Sequence, residues 1–153
     1  MPGHGLPPAL TRNLRLPAIA APMFLVSGPE MVIAASRSGV IGSFPAPNAR
    51  TSADLEDWVG RIDAALSNDP EAAPWAVNLV VHASNSRLPD DLACVVRHKV
   101  PLVITSLGIV PEVIPAVQSY GGLVFHDVTN VRHAVKAIEG GVQHLPWMMT
   151  ATF

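Results

Sequence analysis

The stretch Trp75-Ala76-Val77-Asn78-Leu79-Val80-Val81 is apolar at every position except Asn78. A strand that reads as a nearly continuous apolar run, rather than as an alternation, is typical of a parallel sheet covered on both faces. Similar short runs lie on either side of it in the sequence: Ala18 to Ala21, Val40 to Phe44, Leu102 to Thr105 and Leu123 to His126. We therefore predict five buried parallel strands.

The segments between the first three runs are amphipathic and predict helices. Ser27-Gly28-Pro29-Glu30 matches a capping box with proline in the first turn, and Gly39 supplies a stop. Thr51 is predicted to cap the next helix. That helix has an apolar face of Leu55, Trp58, Val59, Ile62 and Leu66 and a face predicted to meet water, made of Asp54, Glu56, Asp57, Arg61 and Asp63.

Three more helices are predicted further along the chain, over Arg87 to Lys99, Pro111 to Ser119 and Thr129 to Glu139. The first of them places Leu92, Val95 and Val96 at helical spacing. The last is expected to point Val131, Ala134, Val135 and Ile138 inward and to end at Gly140 and Gly141.

Five successive strand-helix units fit two architectures, a doubly wound sheet or the first part of an eightfold barrel of about 250 residues. The spacing of the units does not choose between them. A Gly-x-Gly-x-x-Gly motif is missing after the first strand, where Ala21-Pro22-Met23-Phe24 stands instead. A dinucleotide-binding Rossmann unit is therefore disfavoured.

Composition narrows the class of protein. Of the 153 residues, 49% are hydrophobic and 14% charged, which is enough apolar material for one domain with a sizeable core. A formal charge of −2 does not indicate the excess of lysine and arginine that binding of nucleic acid or anionic lipid requires. We find neither a secretory signal nor an apolar run of the roughly 18 residues that a spanning helix needs, so no membrane partner is expected.

Cysteine and histidine usage points to a cytoplasmic chain without a metal site. Cys94 is the single cysteine, so no internal disulfide is possible, and it is interpreted as a small buried residue among apolar neighbours. His82, His98 and His133 lack metal spacing with a carboxylate and a cysteine, and we interpret them as surface or core histidines.

The ordered set of motifs resembles the nitronate monooxygenase (2-nitropropane dioxygenase) family, N-terminal part only. The matching segments are 16–23, 27–32, 39–44, 75–79, 104–108 and 125–131. The resemblance implies an α/β fold, a partial (βα)8 TIM barrel of about five βα units. It divides the chain into an N-terminal extension over 1–15, the N-terminal part of an FMN-binding barrel over 16–142, and a divergent tail over 143–153.

The resemblance also implies that FMN lies across the C-terminal mouth of the barrel. Ala21, Pro22 and Met23 would meet the flavin ring largely through their main chain. Asn78 would contact the flavin. An unsatisfied buried amide costs roughly 1 to 3 kcal/mol, so Asn78 needs a partner, and a hydrogen bond to the backbone is the alternative. Ser106 ends the fourth predicted strand, where cofactor contact and turn capping are both open.

Asp127 stands where some family members have lysine, so the charge at this position is reversed. A carboxylate there would repel a phosphate and would instead accept a hydrogen bond from the flavin ring or ribityl chain. The preceding His126 is a weaker candidate. Asn85 and Arg87, after the third predicted strand, are interpreted as a solvated loop rather than as a border of the substrate site.

The chain departs from the family after Gly140-Gly141-Val142, where the family continues into a Gly-Gly-His loop whose histidine is the catalytic base or substrate binder. Here Gln143 and His144 follow, Pro146 breaks the expected strand, and Gly-Gly-His does not occur. The catalytic residues are therefore unknown. We expect a truncated or out-of-frame product that is impaired, that binds FMN weakly or not at all, and whose open sheet edges make it unstable.

The implied activity of the intact parent is the oxidation of alkyl nitronates by O2 to a carbonyl compound and nitrite. Two alternatives stay open. One is a flavin-dependent barrel that reduces an enoyl thioester. The other is a non-enzymatic fragment whose open edges pair with a second copy, giving a homo-oligomer, or with another chain.

Overall fold

The computed structural model describes residues 7–82, 84–108, 112–128 and 131–139. Its helices are α1 (Pro8–Thr11), α2 (Pro29–Arg37), α3 (Ser52–Leu66), α4 (Leu88–Arg97), α5 (Val113–Gln118) and α6 (Val131–Glu139), and a 3-10 turn covers Ala46–Asn48. Its strands are β1 (Gly42–Pro45), β2 (Trp75–Val80), β3 (Leu102–Ser106) and β4 (Leu123–His126). No helix of the described part is both long and apolar enough to cross a membrane.

The four strands form one parallel sheet in the order β1-β2-β3-β4. Each strand is followed by a helix, so consecutive strands are neighbours and every connection crosses over the sheet. One row of paired residues runs through Phe44, Val77, Val103 and Val124, and all four are buried. The predicted α/β architecture, a partial TIM barrel, is confirmed.

The first predicted strand, Ala18 to Ala21, is reduced to a single bridge. Ile19 pairs with Ile41 in parallel, and two backbone hydrogen bonds hold the segment beside β1, from Ala20 N–H to the Ile41 carbonyl and from Ile41 N–H to the Ala18 carbonyl. Pro17 and Pro22 flank the segment and have no N–H to donate, which limits how far a ladder can extend.

The two predicted helix caps have different outcomes. Thr51 and Asp54 form a complete capping box at the start of α3, as predicted. The capping box at Ser27 was wrong, because Gly28 is the N-cap of α2 and no side chain caps that helix. The Ser27 hydroxyl instead accepts a hydrogen bond from Met23 N–H at 2.9 Å, within the preceding loop.

The main hydrophobic core lies between the sheet and helices α2 to α5. Its buried helical members come from one face of each helix, for example Leu55, Val59 and Ile62 of α3. Trp58, predicted on the same face, is half-buried and packs against Phe44 with ring centroids 5.6 Å apart. Glu56 was predicted to face water, and its side chain is 39% exposed, while it also bonds Arg97 of α4 and His98, the residue that follows α4.

A second, smaller core covers the opposite face of the sheet. Its buried members are Leu10, Ile41, Ala76, Leu102, Ile104 and Phe125. Leu10 belongs to α1, within the predicted N-terminal extension, and Asn13 next to α1 donates hydrogen bonds to the carbonyls of Pro70 and Ala72. Residues near the start of the chain therefore pack against the sheet through this inner core.

The last helix differs from its prediction. Val131, Val135 and Ile138 of α6 were expected to point inward but are exposed, whereas Ala134 packs partly against the main core. The three exposed side chains form an apolar stripe on α6, the last element that the structure describes. No described element covers this stripe. Pro111, Thr129, Gly140, Gly141, His144 and the predicted tail over 143–153 lie outside the described residues.

Candidate functional site

Most of the predicted site residues converge on one end of the sheet. We call this end the rim, meaning the loop over residues 21–27 together with Asn78, Ser106 and Asp127. Side chains alternate between the two faces of a strand. Ile104 and Phe125 belong to the inner core, so Ser106 and Asp127, each two positions further on, continue the same inner face toward the carboxyl ends of their strands.

Asn78 lies on the same inner face and forms hydrogen bonds within the protein. Its Nδ2 donates to the Ile104 carbonyl at 3.0 Å and to Ser106 Oγ at 3.1 Å, and the residue is buried. These two bonds use both hydrogens of the amide, so a ligand that leaves them in place can use only the Oδ1 acceptor. The bonds also fix Ser106 at the rim, which joins two of the predicted residues into one unit.

Asp127 carries a buried oxygen for which the described part of the chain supplies no partner. Its backbone N–H donates to the Thr105 carbonyl at 2.8 Å, which extends the β3-β4 ladder by one step. Its Oδ1 is buried and has no hydrogen-bond partner among the described residues. Burial raises the pKa of Asp127 above its ordinary value, and the neighbouring His126 partly opposes this. A half-buried acceptor of this kind favours a ligand that brings a donor.

The loop over residues 21–27 is anchored by polar contacts and exposes apolar side chains. Met23 N–H donates to Ser27 Oγ, and the Met23 carbonyl accepts from Asn48 Nδ2 at 3.0 Å. Both main-chain groups of Met23 are thus engaged, which leaves its side chain to meet a ligand. Exposed side chains follow at Phe24, Leu25 and Val26.

Asn48 was not singled out from the sequence, although it holds this loop in place. Its Nδ2 donates to the carbonyls of Met23 and Ser27, and its Oδ1 accepts from Leu25 N–H. The signal that was available is a polar amide four residues after the end of the second apolar run. Parallel strands present such positions at the same edge of the sheet as the first loop.

The loops after β2 and β3 approach each other closely at Gly108. This residue has a φ of +150°, and a Cβ there would lie 2.7 Å from the Val81 carbonyl oxygen. Any side chain would force the two loops apart. Gly108 therefore fixes the shape of the rim beside Ser106, and the adjacent Leu107 is exposed.

Three other candidates lie away from the rim. His126 is buried, and its Nδ1 hydrogen-bonds Thr105 Oγ1 at 2.8 Å on the helix-facing side of the sheet. Asn85 donates to the Val80 carbonyl, and Arg87 donates to the carbonyls of Ala49 and Arg50 and pairs with Asp91. Asn85 and Arg87 therefore connect loops through hydrogen bonds. A solvated loop was expected for them, but both residues are only half-exposed.

Cys94 is buried, as its apolar neighbours predicted. Burial raises the pKa of the Cys94 thiol to about 12, and the adjacent Glu56 carboxylate acts in the same direction. The nucleophilic form of cysteine is the thiolate, so this residue is not an active nucleophile at neutral pH.

The residues at the rim fit the ring and ribityl part of FMN. The unpaired Asp127 Oδ1 suits a hydroxyl or ring N–H donor, Asn78 offers an acceptor, and the loop over residues 21–27 offers apolar cover. No arginine or lysine side chain is recorded at this rim within the described residues, so the part that would bind a phosphate is not identified.

Sequence comparisons find no match, whereas comparison with solved structures finds chains of similar fold. No protein-family model matches the chain, and no curated protein matches it. FabK from Thermotoga maritima is similar at a TM-score of 0.75 and 19% identity, over 88% of this chain and 41% of that one. Nitroalkane oxidase from Streptomyces ansochromogenes is similar at a TM-score of 0.76 and 20% identity, over 90% of this chain and 47% of that one.

A structure of native KDPGal is similar at a lower TM-score of 0.59 and 20% identity, over 86% of this chain and 58% of that one. The chain therefore spans less than half the length of the FabK and nitroalkane oxidase structures. At these identities the likeness establishes the fold alone, and the fold is that of a partial TIM barrel.

Proposed function

We propose that this chain forms the flavin-ring side of an FMN-dependent oxidoreductase that acts on alkyl nitronates. The observation that carries the proposal is that Met23, Asn78, Ser106 and Asp127 lie at one end of a parallel sheet, where a buried oxygen of Asp127 has no hydrogen-bond partner among the described residues. A nitroalkane oxidase is among the structures similar to this chain, which supports testing nitro compounds and their anions as substrates.

The chemistry balances without a further reactant. Two alkyl nitronates and one O2 give two carbonyl compounds and two nitrite ions. FMN, when bound, would take electrons from the nitronate and pass them to O2. A nitronate is already an anion, so this reaction needs no base, whereas a neutral nitroalkane must first lose a proton next to its nitro group.

The contribution of this chain would be to bind and orient the ring and to exclude water. Asp127 would accept a hydrogen bond from the ring edge or a ribityl hydroxyl, and Asn78 would keep Ser106 in place while offering its Oδ1. The exposed side chains of Met23 and Phe24 would cover the ring. Ring binding by such groups is weak without a phosphate site, because a single neutral hydrogen bond contributes only about 1 kcal/mol.

A binding test compares FMN with lumiflavin, which has the same ring and no phosphate, by the quenching of flavin fluorescence on titration with the full chain. We expect weak and similar affinities for the two. Asp127→Ala should weaken both by about three- to tenfold, the equivalent of one hydrogen bond. The matched control is Asp69→Ala, which removes a carboxylate paired with Arg37 outside the rim.

Two outcomes would contradict this binding mode. One is binding of FMN without binding of lumiflavin, which would place recognition at the phosphate. The other is an equal effect of Asp127→Ala and Asp69→Ala, which would remove Asp127 from the site.

The reaction class is tested separately, by the anaerobic loss of FMN absorbance in the presence of the chain. An alkyl nitronate should bleach FMN faster than it does without protein, and the matching neutral nitroalkane should not. Bleaching by NADH instead of the nitronate would favour the reductase alternative. A rate with nitronate equal to that of free FMN would reject the proposed activity.

A further inference from the structure

Three side chains with different metal-binding atoms meet between α3 and α4. Glu56 comes from α3, Cys94 comes from α4, and His98 is the C-cap residue directly after α4. One carboxylate oxygen, the Cys94 sulfur and an imidazole nitrogen all lie within 4.8 Å of one another. The sequence shows no metal spacing between His98 and a carboxylate, because Glu56 is 42 positions away and reaches the group only through helix packing.

We propose that Glu56, Cys94 and His98 form a binding site for a single Zn²⁺ ion. The proposal is independent of the flavin function, since the site lies between two helices of the outer layer and shares no residue with the rim. A thiolate, an imidazole and a carboxylate are the donor types that zinc prefers. Calcium and magnesium are disfavoured, because both require oxygen donors throughout.

The backbone brings the ligands close to the required geometry. Cys94 and His98 are four residues apart, and His98, the C-cap of α4, keeps a backbone conformation in the right-handed helical region. Their side chains therefore lie on one face of the helix, one turn apart. Zinc bonds of about 2.0 to 2.3 Å in a tetrahedron place neighbouring ligand atoms roughly 3.3 to 3.8 Å apart. Movements of about 1 Å therefore convert the present cluster into a ligand set.

The hydrogen bond that zinc would replace is the 2.7 Å contact between Glu56 Oε1 and His98 Nε2. The other carboxylate oxygen, Oε2, accepts from Arg97 Nη1 at 2.8 Å. Arg97 is thus a positioning residue, since it holds the carboxylate with Oε1 directed at His98. Such outer contacts orient metal ligands and tune their affinity.

Charge and space also suit a zinc ion. A thiolate and a carboxylate would balance the two positive charges, while the imidazole binds as a neutral ligand, so the loaded site carries no net charge. A cavity of about 320 Å³ is lined by Glu56 and Cys94 together with Ser52, Asp90, Ala93 and Arg97. It leaves room for a water molecule or small ligand at the fourth coordination position.

The test is a titration of the full chain with Co²⁺, which occupies zinc sites and is coloured. We expect one cobalt ion per chain, a thiolate-to-cobalt charge-transfer band and the intense visible bands of four-coordinate cobalt, all removed by an equivalent of Zn²⁺. The chain has one cysteine, so the charge-transfer band reports on Cys94 alone. Cys94→Ser should abolish that band.

Two further variants distinguish the proposed ligand set from binding by the thiol alone. His98→Gln and Glu56→Gln should each weaken cobalt binding by at least about tenfold, the scale on which loss of even an outer-shell partner acts. His82→Gln is the matched control, because His82 is exposed and hydrogen-bonds only Ser84 among the described side chains. It should bind cobalt as the unmodified chain does.

X-ray absorption of the unmodified chain loaded with Zn²⁺ requires no variant to fold. One sulfur at about 2.3 Å and nitrogen or oxygen at about 2.0 to 2.2 Å are expected. A shell without sulfur would overturn the proposal. So would the absence of the charge-transfer band, or unchanged cobalt affinity in His98→Gln and Glu56→Gln.

Discussion

The two faces of the sheet differ in the side chains that the same strands present on them. The outer face presents Phe44, Val77, Val103 and Val124 in one row, all buried in the main core beneath the helices. The next row, on the inner face, runs through Pro45, Asn78, Ile104 and Phe125 and mixes a polar amide with apolar residues. Because side chains alternate along a strand, an apolar row on one face can lie next to a row on the other face that contains a polar amide.

The largest expected difference between the faces is in stability. Leu79 lies in the main core and is 1% exposed, so Leu79→Ala should lower the free energy of unfolding by about 2 to 5 kcal/mol, measured by urea denaturation. Leu79 belongs to the core between the sheet and helices α2 to α5, and packing on both sides limits the collapse of the resulting cavity.

The matched variant on the inner face is Leu102→Ala, which removes the same atoms from a residue that is also buried. Its loss should be smaller, because the cover on that side includes the four-residue helix α1, which can move into the space. Equal losses for the two variants would show that the inner face is packed as rigidly as the outer one.

An intermediate effect is expected for the polar pair on the inner face. Asn78→Leu removes the hydrogen bonds to the Ile104 carbonyl and to Ser106, and should lower the free energy of unfolding by about 1 to 3 kcal/mol. Ser106→Ala removes only one of these bonds and should cost about 1 kcal/mol. A more stable Asn78→Leu chain would show that the amide serves no structural purpose and would leave only a ligand to explain it.

The smallest effect is a pH dependence that originates at the rim. Burial raises the pKa of Asp127, so between the ordinary aspartate pKa and the raised value the folded chain holds a proton that the unfolded chain has lost. Stability contributed by this group is therefore lost as pH rises through that window. The asparagine in Asp127→Asn cannot titrate. The free energy of unfolding of this variant should therefore fall less than that of the unmodified chain over the same pH range.

Urea unfolding at a series of pH values checks this difference. Asp91 also has a raised pKa, because of burial, but it is present in both proteins and cancels in the comparison. Parallel stability curves for the two proteins would mean that the Asp127 carboxyl is solvated at the rim.

The sequence was most informative where local chemistry sets the structure. The predicted strand from Leu123 to His126 matches β4 at both ends, and the capping box of Thr51 and Asp54 forms as its spacing indicates. It was less informative where neighbours decide the outcome. Ser27 is a residue type that often caps helices, but Gly28 is the N-cap of α2. The Ser27 hydroxyl instead accepts a hydrogen bond within the preceding loop.

The candidate site shows the same division. Met23, Asn78, Ser106 and Asp127 could be proposed from their places at strand ends and from the family resemblance. Their partners could not, since the bond between Asn78 and Ser106 depends on the register of β2 with β3. Asn48 was missed because its role requires a loop that is remote in the sequence.

By itself, the amino-acid sequence determined the order of strands and helices and the parallel character of the sheet, because apolar runs, caps and helical periodicity act over a few residues. Only the tertiary structure decided which polar groups meet. It left Asp127 Oδ1 unpaired among the described residues and placed Glu56 beside Cys94 and His98. Such contacts join residues far apart in the chain, and their distances depend on how helices pack and strands align.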